Sequence, residues 1–276
     1  MSNENLDTHP SDMMKEVVMK RINIVLLLCF TLFVTSAAHA EKITVAAAAD
    51  LKFAMHEVAA GFRNDYPGEE VEIIYGSSGA AYTQIQQGAP YDLYFSADIA
   101  YPQELIKRGF AASTKVTPYA RGRIVLWSAT RDASKMTLAS LTDPKITRIA
   151  VANPEHAPYG KRAEEALRAA KLWNAVKSKM VYGENVTQAA QFVQTGNAQV
   201  GIISLSLAVS PELSRKGGYY LIPDNLHEPL EQGFIILKRA EHNALARQFA
   251  DYMNTPAARA IMTRYGFVLP SEKVDK

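Results

Sequence analysis

The stretch "VEIIYGSSGAAYTQIQQG", residues 71–88, shows the unit from which the fold is built. Its β-branched and aromatic start predicts a strand, and the residues after Gly79 have the spacing of a helix. Between them, the glycines of "GSSG" allow a ligand to approach the backbone, and a serine hydroxyl can donate a hydrogen bond or act as a nucleophile. A nucleophile loop, a nucleotide loop and an anion-binding loop are all open at this point.

The same order of strand, small-residue loop and helix recurs along the chain. "KITVAAAA" (42–49), "YDLYFSAD" (91–98) and "RIAVANP" (148–154) are strand-like, and a helical pattern follows each of them. Alternating strands and helices form largely parallel sheets. The sequence therefore predicts an α/β fold whose sheets are mostly parallel and flanked by helices.

The chain has two points at which it can cross between lobes, near residues 119–123 and 223–232. We expect a discontinuous lobe 1 (41–121 plus 230–276) and a lobe 2 (122–229). Ligands of such folds lie where strand ends and helix starts converge. The cleft between the two lobes is therefore the expected ligand site.

The N-terminal segment has the composition of a secretory signal peptide. "MKRINIVLLLCFTLFVTSAAHA" (19–40) has a basic start, a short apolar run and small residues before Glu41. We predict a signal peptide over residues 1–40, cleaved after Ala40, and a periplasmic mature protein. Because residues 1–18 are polar for a signal start, Met19 is a second possible translation start.

Composition excludes several kinds of function. The only cysteine, Cys29, lies in the predicted leader, so the mature chain lacks the thiols that thiol catalysis, iron–sulfur clusters and zinc–cysteine sites require. A net charge of +2 is too mild for a nucleic-acid-binding surface. We predict no cofactor, and no signal for an oligomer is present, so a monomer is expected.

Four loops between strands and helices are rich in small or hydroxylated residues: "AAADLK" (47–52), "GSSGAA" (76–81), "APYGKR" (157–162) and "GENVTQ" (183–188). Each presents backbone N–H groups at the positive end of a helix dipole, and such an end favours an anion. One loop alone is an ordinary connection. Four loops, two in each predicted lobe, indicate an anion site.

The enzyme hypotheses have weaker support. "GSSGA" nearly matches the hydrolase motif G-x-S-x-G with Ser78 as nucleophile, but Ala80 replaces its last glycine. An exported serine hydrolase using Ser78 is therefore kept as a remote alternative. Tyr219 and Tyr220 could bind ferric iron, although their context alternates like a strand. We expect no enzymatic activity.

Six segments of the chain are informative together, in this order: "ITVAAAADLKFAM", "YGSSGAAYTQIQQGAPYDLYFSAD", "ANPEHAPYGKRAEEAL", "GENVTQAAQFVQTGNAQVGIISLS", "LIPDNLHEPLEQGFIIL" and "PAARAIMTRYGFVLP". They resemble the periplasmic molybdate-binding proteins of ABC importers. This resemblance implies a type II periplasmic binding fold, which is two α/β lobes joined by two crossing strands. It also implies capture of molybdate or tungstate and delivery to an ABC permease in the inner membrane.

The resemblance further implies an oxyanion pocket without metal-ion ligands and without lysine or arginine. Its residues would be Ala49, Asp50, Ser78, Tyr159 and Val186, which would hold the oxygens of the anion mainly through backbone N–H groups and the Ser78 hydroxyl. A fully deprotonated dianion has acceptors only, so neutral donors suffice to bind it.

Asp50 departs from the family, which has serine or asparagine at this position. Its carboxylate would repel a dianion. The preferred interpretation is that the side chain caps its own helix, with Lys52 offsetting the charge. The alternative is that Asp50 accepts a proton from a protonated oxyanion. Specificity would then shift to another oxyanion such as phosphate or arsenate, with sulfate and chromate as further candidates.

Two serines are weaker candidates for the site. Ser204 lies where one branch of the family has a ligand tyrosine, whereas this chain resembles the branch that uses the tyrosine of "APYG", Tyr159. Ser77 is interpreted as a structural residue.

Overall fold

The computed structural model describes residues 42–270, together with Met14 and Met19. The predicted signal peptide otherwise lies outside the described residues. The strands are β1 (Lys42–Ala48), β2 (Glu70–Gly76), β3 (Leu93–Ser96), β4 (Thr117–Gly122), β5 (Ile124–Trp127), β6 (Ile149–Ala152), β7 (Met180–Gly183), β8 (Val200–Ser204), β9 (Tyr219–Leu221) and β10 (Leu230–Ile236).

The α-helices alternate with these strands. They are α1 (Lys52–Asp65), α2 (Ser78–Gln86), α3 (Ala100–Lys107), α4 (Pro158–Ala169), α5 (Trp173–Val176), α6 (Val186–Gln194), α7 (Leu205–Ala208), α8 (Ala244–Tyr252) and α9 (Pro256–Arg264). Within this part of the chain, no helix is long and apolar enough to cross a membrane.

The strands form two five-stranded mixed sheets, and these sheets define the two lobes. The sheet of lobe 1 has the order β2-β1-β3-β10-β4, and that of lobe 2 has the order β7-β6-β8-β5-β9. In each sheet one strand, β10 or β5, runs against its neighbours, and the other four point the same way. The predicted α/β fold is confirmed, with one reversed strand in each largely parallel sheet.

The chain passes between the sheets at two places. Strand β4 ends at Gly122 and β5 begins at Ile124, so the first crossing occurs at Arg123. The second lies between β9 and β10. Strand β4 was not predicted, because Pro118 and Gly122 interrupt its pattern; as an edge strand beside a bulge at Gln232/Gly233, it tolerates the missing N–H of Pro118.

Apolar residues of α1 and β5 fill the two cores. On α1 and the turn before it, Leu51, Met55, Val58 and Phe62 are fully buried and pack in the lobe 1 core. Trp127 is fully buried in the lobe 2 core. Because both sheets are packed on helices, the loops at their strand ends are held in fixed positions.

Candidate oxyanion-binding site

A small cavity lies between the two lobes, where all four predicted loops meet. Its volume is about 10 Å³, measured as the space open to the centre of a water-sized sphere. None of the described residues that line it is a lysine, an arginine or a histidine. The residues that line it are Ala48, Ala49, Asp50, Gly76, Ser77, Ser78, Ala97, Ala157, Pro158, Tyr159, Asn185 and Val186.

Three helices begin at this cavity. Ser78 is the first residue of α2, Tyr159 the second residue of α4, and Val186 the first residue of α6. The N–H groups of a first helical turn have no partner within their own helix, and the helix dipole adds positive potential there. The cavity wall therefore combines backbone donors from both lobes with favourable potential for an anion.

The Ser78 hydroxyl is oriented as a donor. Its Oγ accepts a hydrogen bond from the Ala97 N–H at 2.9 Å, so its own proton remains for another acceptor. The Ser78 carbonyl accepts from the Tyr94 hydroxyl at 2.7 Å, which fixes the start of α2. Ser78 is 1% exposed and lines the cavity.

Ser77 joins the lobes at the cavity rim. Its Oγ caps α2 by accepting from the Ala80 N–H, and it lies 2.8 Å from His156 Nδ1. The Gly79 N–H donates to the His156 carbonyl at 2.9 Å, and a Cβ on Gly79 would lie 2.6 Å from that oxygen. The close approach of the lobes here requires glycine.

The hydrolase hypothesis does not fit this geometry at Ser78. In the described structure the histidine near the cavity contacts Ser77, and Glu184 Oε2 lies 3.6 Å from its Nε2. The Ser77 hydroxyl already serves as a helix cap. Its contacts therefore agree with the structural role expected for Ser77.

The capping interpretation of Asp50 is wrong. Residues Ala49–Leu51 form a 3-10 turn without a side-chain cap, and α1 also begins without one. Asp50 Oδ2 instead accepts from the Tyr159 hydroxyl at 2.8 Å and from Gln232 Nε2 at 2.9 Å. The turn is made by the backbone, which leaves the carboxyl directed across the interface between the lobes.

Burial dominates the protonation of Asp50. The residue is 1% exposed, and desolvation raises its pKa to about 6, although the hydrogen bonds from Gln232 and Tyr159 oppose the shift. Lys52 does not offset the charge as expected: its ammonium lies 5.5 Å from the centre of the Phe53 ring, and no ion pair found between described residues includes Asp50.

Gly122 makes room for this polar cluster. A Cβ there would lie 2.2 Å from Tyr159 Oη and 2.6 Å from Gln232 Nε2. Gln232 is fully buried on β10, and its Nε2 also lies 3.1 Å from Tyr159 Oη. Gln232 was not among the predicted site residues; its position directly before the apolar run "GFIIL" (233–237) was the signal that could have found it.

Ser204 is not brought to the cavity. Its Oγ caps α7 by accepting from the Leu207 N–H, and it lies 3.0 Å from Ser206 Oγ. Ser206 donates to the Asp50 carbonyl at 2.7 Å. Ser204 thus supports the turn that carries Asp50 only through its neighbour. Across residues 42–270, no group of three or more His, Cys, Asp or Glu side chains could hold a metal ion.

The fold and the cavity define a solute-binding protein. A profile of the bacterial extracellular solute-binding proteins matches residues 43–268, and the chain belongs to this family. Among its relatives are molybdate-binding proteins ModA. That of Azotobacter vinelandii is 36% identical over 233 residues, which cover 84% of this chain and 92% of the relative. That of Rhodobacter capsulatus is 33% identical, covering 84% and 90%.

Solved structures agree with these relatives. The periplasmic molybdate-binding protein of Azotobacter vinelandii superimposes with a TM-score of 0.78 at 32% identity, covering 83% of this chain and all of that one. The sulfate-binding protein SubI of Mycobacterium tuberculosis, at 17% identity and a TM-score of 0.66, shares the fold. The predicted two-lobed periplasmic binding fold is confirmed.

Proposed function

We propose that this protein captures a tetrahedral oxyanion, molybdate or tungstate, between its lobes and delivers it to an ABC importer. The observation that carries the proposal is the cavity itself: three helix starts from two lobes converge on it, and its described lining contains no cationic side chain. The names of the relatives supply the identity of the anion.

The proposed ligands are the Ala49–Asp50 junction, Ser78, Tyr159 and Val186. Each would act through hydrogen bonds to oxygens of the anion, and no protein atom would bind the metal. The Tyr159 hydroxyl is engaged with Asp50, so this residue would act through its backbone N–H. Fixed dipoles in a site shielded from water bind an anion strongly because they need no reorganisation.

The remaining features of the proposal follow from this role. The protein is non-catalytic, works in the periplasm as a monomer after removal of residues 1–40, and meets an inner-membrane permease. Its lobe boundaries are 41–121 with 230–276 and 122–229. The positions of β4, β5 and β10 in the two sheets support these boundaries.

The test removes one backbone donor without removing the helix. Val186 is the first residue of α6, where proline is tolerated, and Asn185 before it is extended, as a residue preceding proline must be. Val186→Pro deletes the N–H. Val186→Ala, the matched control, loses the two methyl groups of the side chain but keeps the backbone N–H.

Calorimetric titration of the leaderless protein should show tight one-to-one binding of molybdate and tungstate. One hydrogen bond to a charged group contributes about 1.5–3 kcal/mol, so Val186→Pro should bind roughly 10- to 100-fold more weakly than Val186→Ala. Equal affinities of the two variants would show that the Val186 N–H does not donate a hydrogen bond to the anion. Binding of phosphate, arsenate, sulfate or chromate in preference to molybdate would overturn the proposed ligand.

A further inference from the structure

The two oxygens of the Asp50 carboxyl lie in different settings. Oδ2 accepts from Tyr159 and Gln232. Oδ1 is buried and, within the described structure, accepts no hydrogen bond of good geometry, although the backbone N–H groups of Asp50 and Leu51 are near enough to the carboxyl to favour its charged form. A buried acceptor without a donor is costly. Asp50 is one of the residues that line the proposed anion cavity.

Among the described residues, the side chains that hydrogen-bond to Asp50 carry no positive charge. Tyr159 from α4 and the nearby Tyr119 from β4 are titratable, and burial raises the pKa of both phenols well above the usual value, so both are neutral. Gln232 from β10 and Ser206 from α7 are neutral as well. An ionised Asp50 would therefore meet an incoming dianion as an uncompensated like charge.

A neutral carboxyl removes both difficulties. A proton on Oδ1 turns the free acceptor into a donor, while Oδ2 still accepts from Tyr159 and Gln232. The cavity would then present only donors to a ligand that has only acceptors. We infer that Asp50 binds the oxyanion as the neutral carboxylic acid, donating from Oδ1 to an oxygen of the ligand, and that each anion is bound together with one proton taken from water.

This inference rests on the proposed function and predicts how affinity depends on pH. The Asp50 pKa is about 6, so the neutral form becomes about tenfold rarer with each pH unit above it. Apparent affinity is reduced by the fraction of the competent form. Between pH 7 and pH 9, affinity for molybdate should therefore fall roughly 90-fold.

Asp50→Asn supplies the same shape without titration. Its amide donates where Oδ1–H would, and its carbonyl accepts from Tyr159 and Gln232. We expect this variant to bind molybdate roughly tenfold more tightly than wild type at pH 7. Because asparagine does not titrate, the affinity of the variant at pH 9 should equal its affinity at pH 7. Asp251→Asn, at an exposed position, is the matched control and should keep the wild-type slope.

Proton uptake is the second readout and needs no variant. Calorimetry at pH 8 with molybdate, in buffers of different ionisation enthalpy, should show close to one proton taken up per anion by wild type and none by Asp50→Asn. Tight, pH-independent binding without proton uptake by wild type would overturn this inference and leave the proposed function intact. Failure of both proteins to bind molybdate and tungstate would overturn the proposed function and this inference with it.

Discussion

Gly122 offers a direct test of the polar cluster that joins the lobes. In Gly122→Ala the new Cβ would lie 2.2 Å from Tyr159 Oη and 2.6 Å from Gln232 Nε2. Neither group can move into solvent, because Tyr159 is 3% exposed and Gln232 is fully buried. The substitution must therefore displace one of the two donors that hold Asp50.

The expected cost has two parts. Overpacking of a buried site costs about 1–3 kcal/mol, and the loss of one hydrogen bond adds about 1 kcal/mol. Gly122→Ala should thus lower the free energy of unfolding by about 2–4 kcal/mol. For a chain of this size, that corresponds to a fall in Tm of roughly 4 to 16 °C.

The assay is thermal unfolding of the ligand-free protein, because a bound anion would stabilise the folded state. Gly76→Ala is the matched control. A Cβ at Gly76 meets nothing within 4 Å, so its Tm should stay within about 2 °C of wild type. A Gly122→Ala protein as stable as Gly76→Ala would refute the argument that this cluster is tightly packed.

Three further predictions follow from other contacts. Because the pKa of Asp50 is raised in the folded state, the protein should lose stability as pH rises. Asp50 should destabilise wild type by about 3 kcal/mol more above pH 6 than below pH 4, so the Tm profiles of wild type and Asp50→Asn should diverge over that window. Parallel Tm profiles would contradict this prediction. His156→Ala removes the contacts with Ser77 and Glu184 and should speed anion release roughly threefold or more in stopped-flow measurements. The exposed control His242→Ala should leave the release rate unchanged. Equal release rates of the two variants would show that the His156 contacts do not hold the lobes together around the anion. Arg123→Ala removes two hydrogen bonds to the Gly266 carbonyl and should lower the free energy of unfolding in urea by about 1–2 kcal/mol. The exposed control Arg215→Ala should leave it almost unchanged. Equal urea midpoints of the two variants would show that the bonds between Arg123 and Gly266 do not stabilise the protein.

Sequence patterns predicted the elements that local chemistry determines. The alternation of strands and helices was predicted because it depends on the spacing of apolar residues along the chain. Strand β4 was missed because its pairing with β10 depends on tertiary contact. A residue such as Pro118 is acceptable only at the edge position that it occupies.

The candidate site was predictable as a set of loops but not in its contacts. The convergence of "AAADLK", "GSSGAA", "APYGKR" and "GENVTQ" follows from the carboxyl-end rule for parallel strands. The direction of the Asp50 carboxyl was not predictable, because its partners Tyr159 and Gln232 are 109 and 182 residues away in sequence. Favoured capping chemistry gave way to these long-range bonds. The roles of the lining residues as ligands stay predictions.

The central claim is that neutral donors from both lobes hold an oxyanion in this cavity. Tungstate soaked into crystals of the leaderless protein tests it directly, because anomalous scattering locates the tungsten atom. We predict one peak between the lobes, with oxygens about 2.7–3.2 Å from the Ser78, Tyr159 and Val186 nitrogens. A peak elsewhere, or one held by lysine or arginine side chains, would contradict the claim.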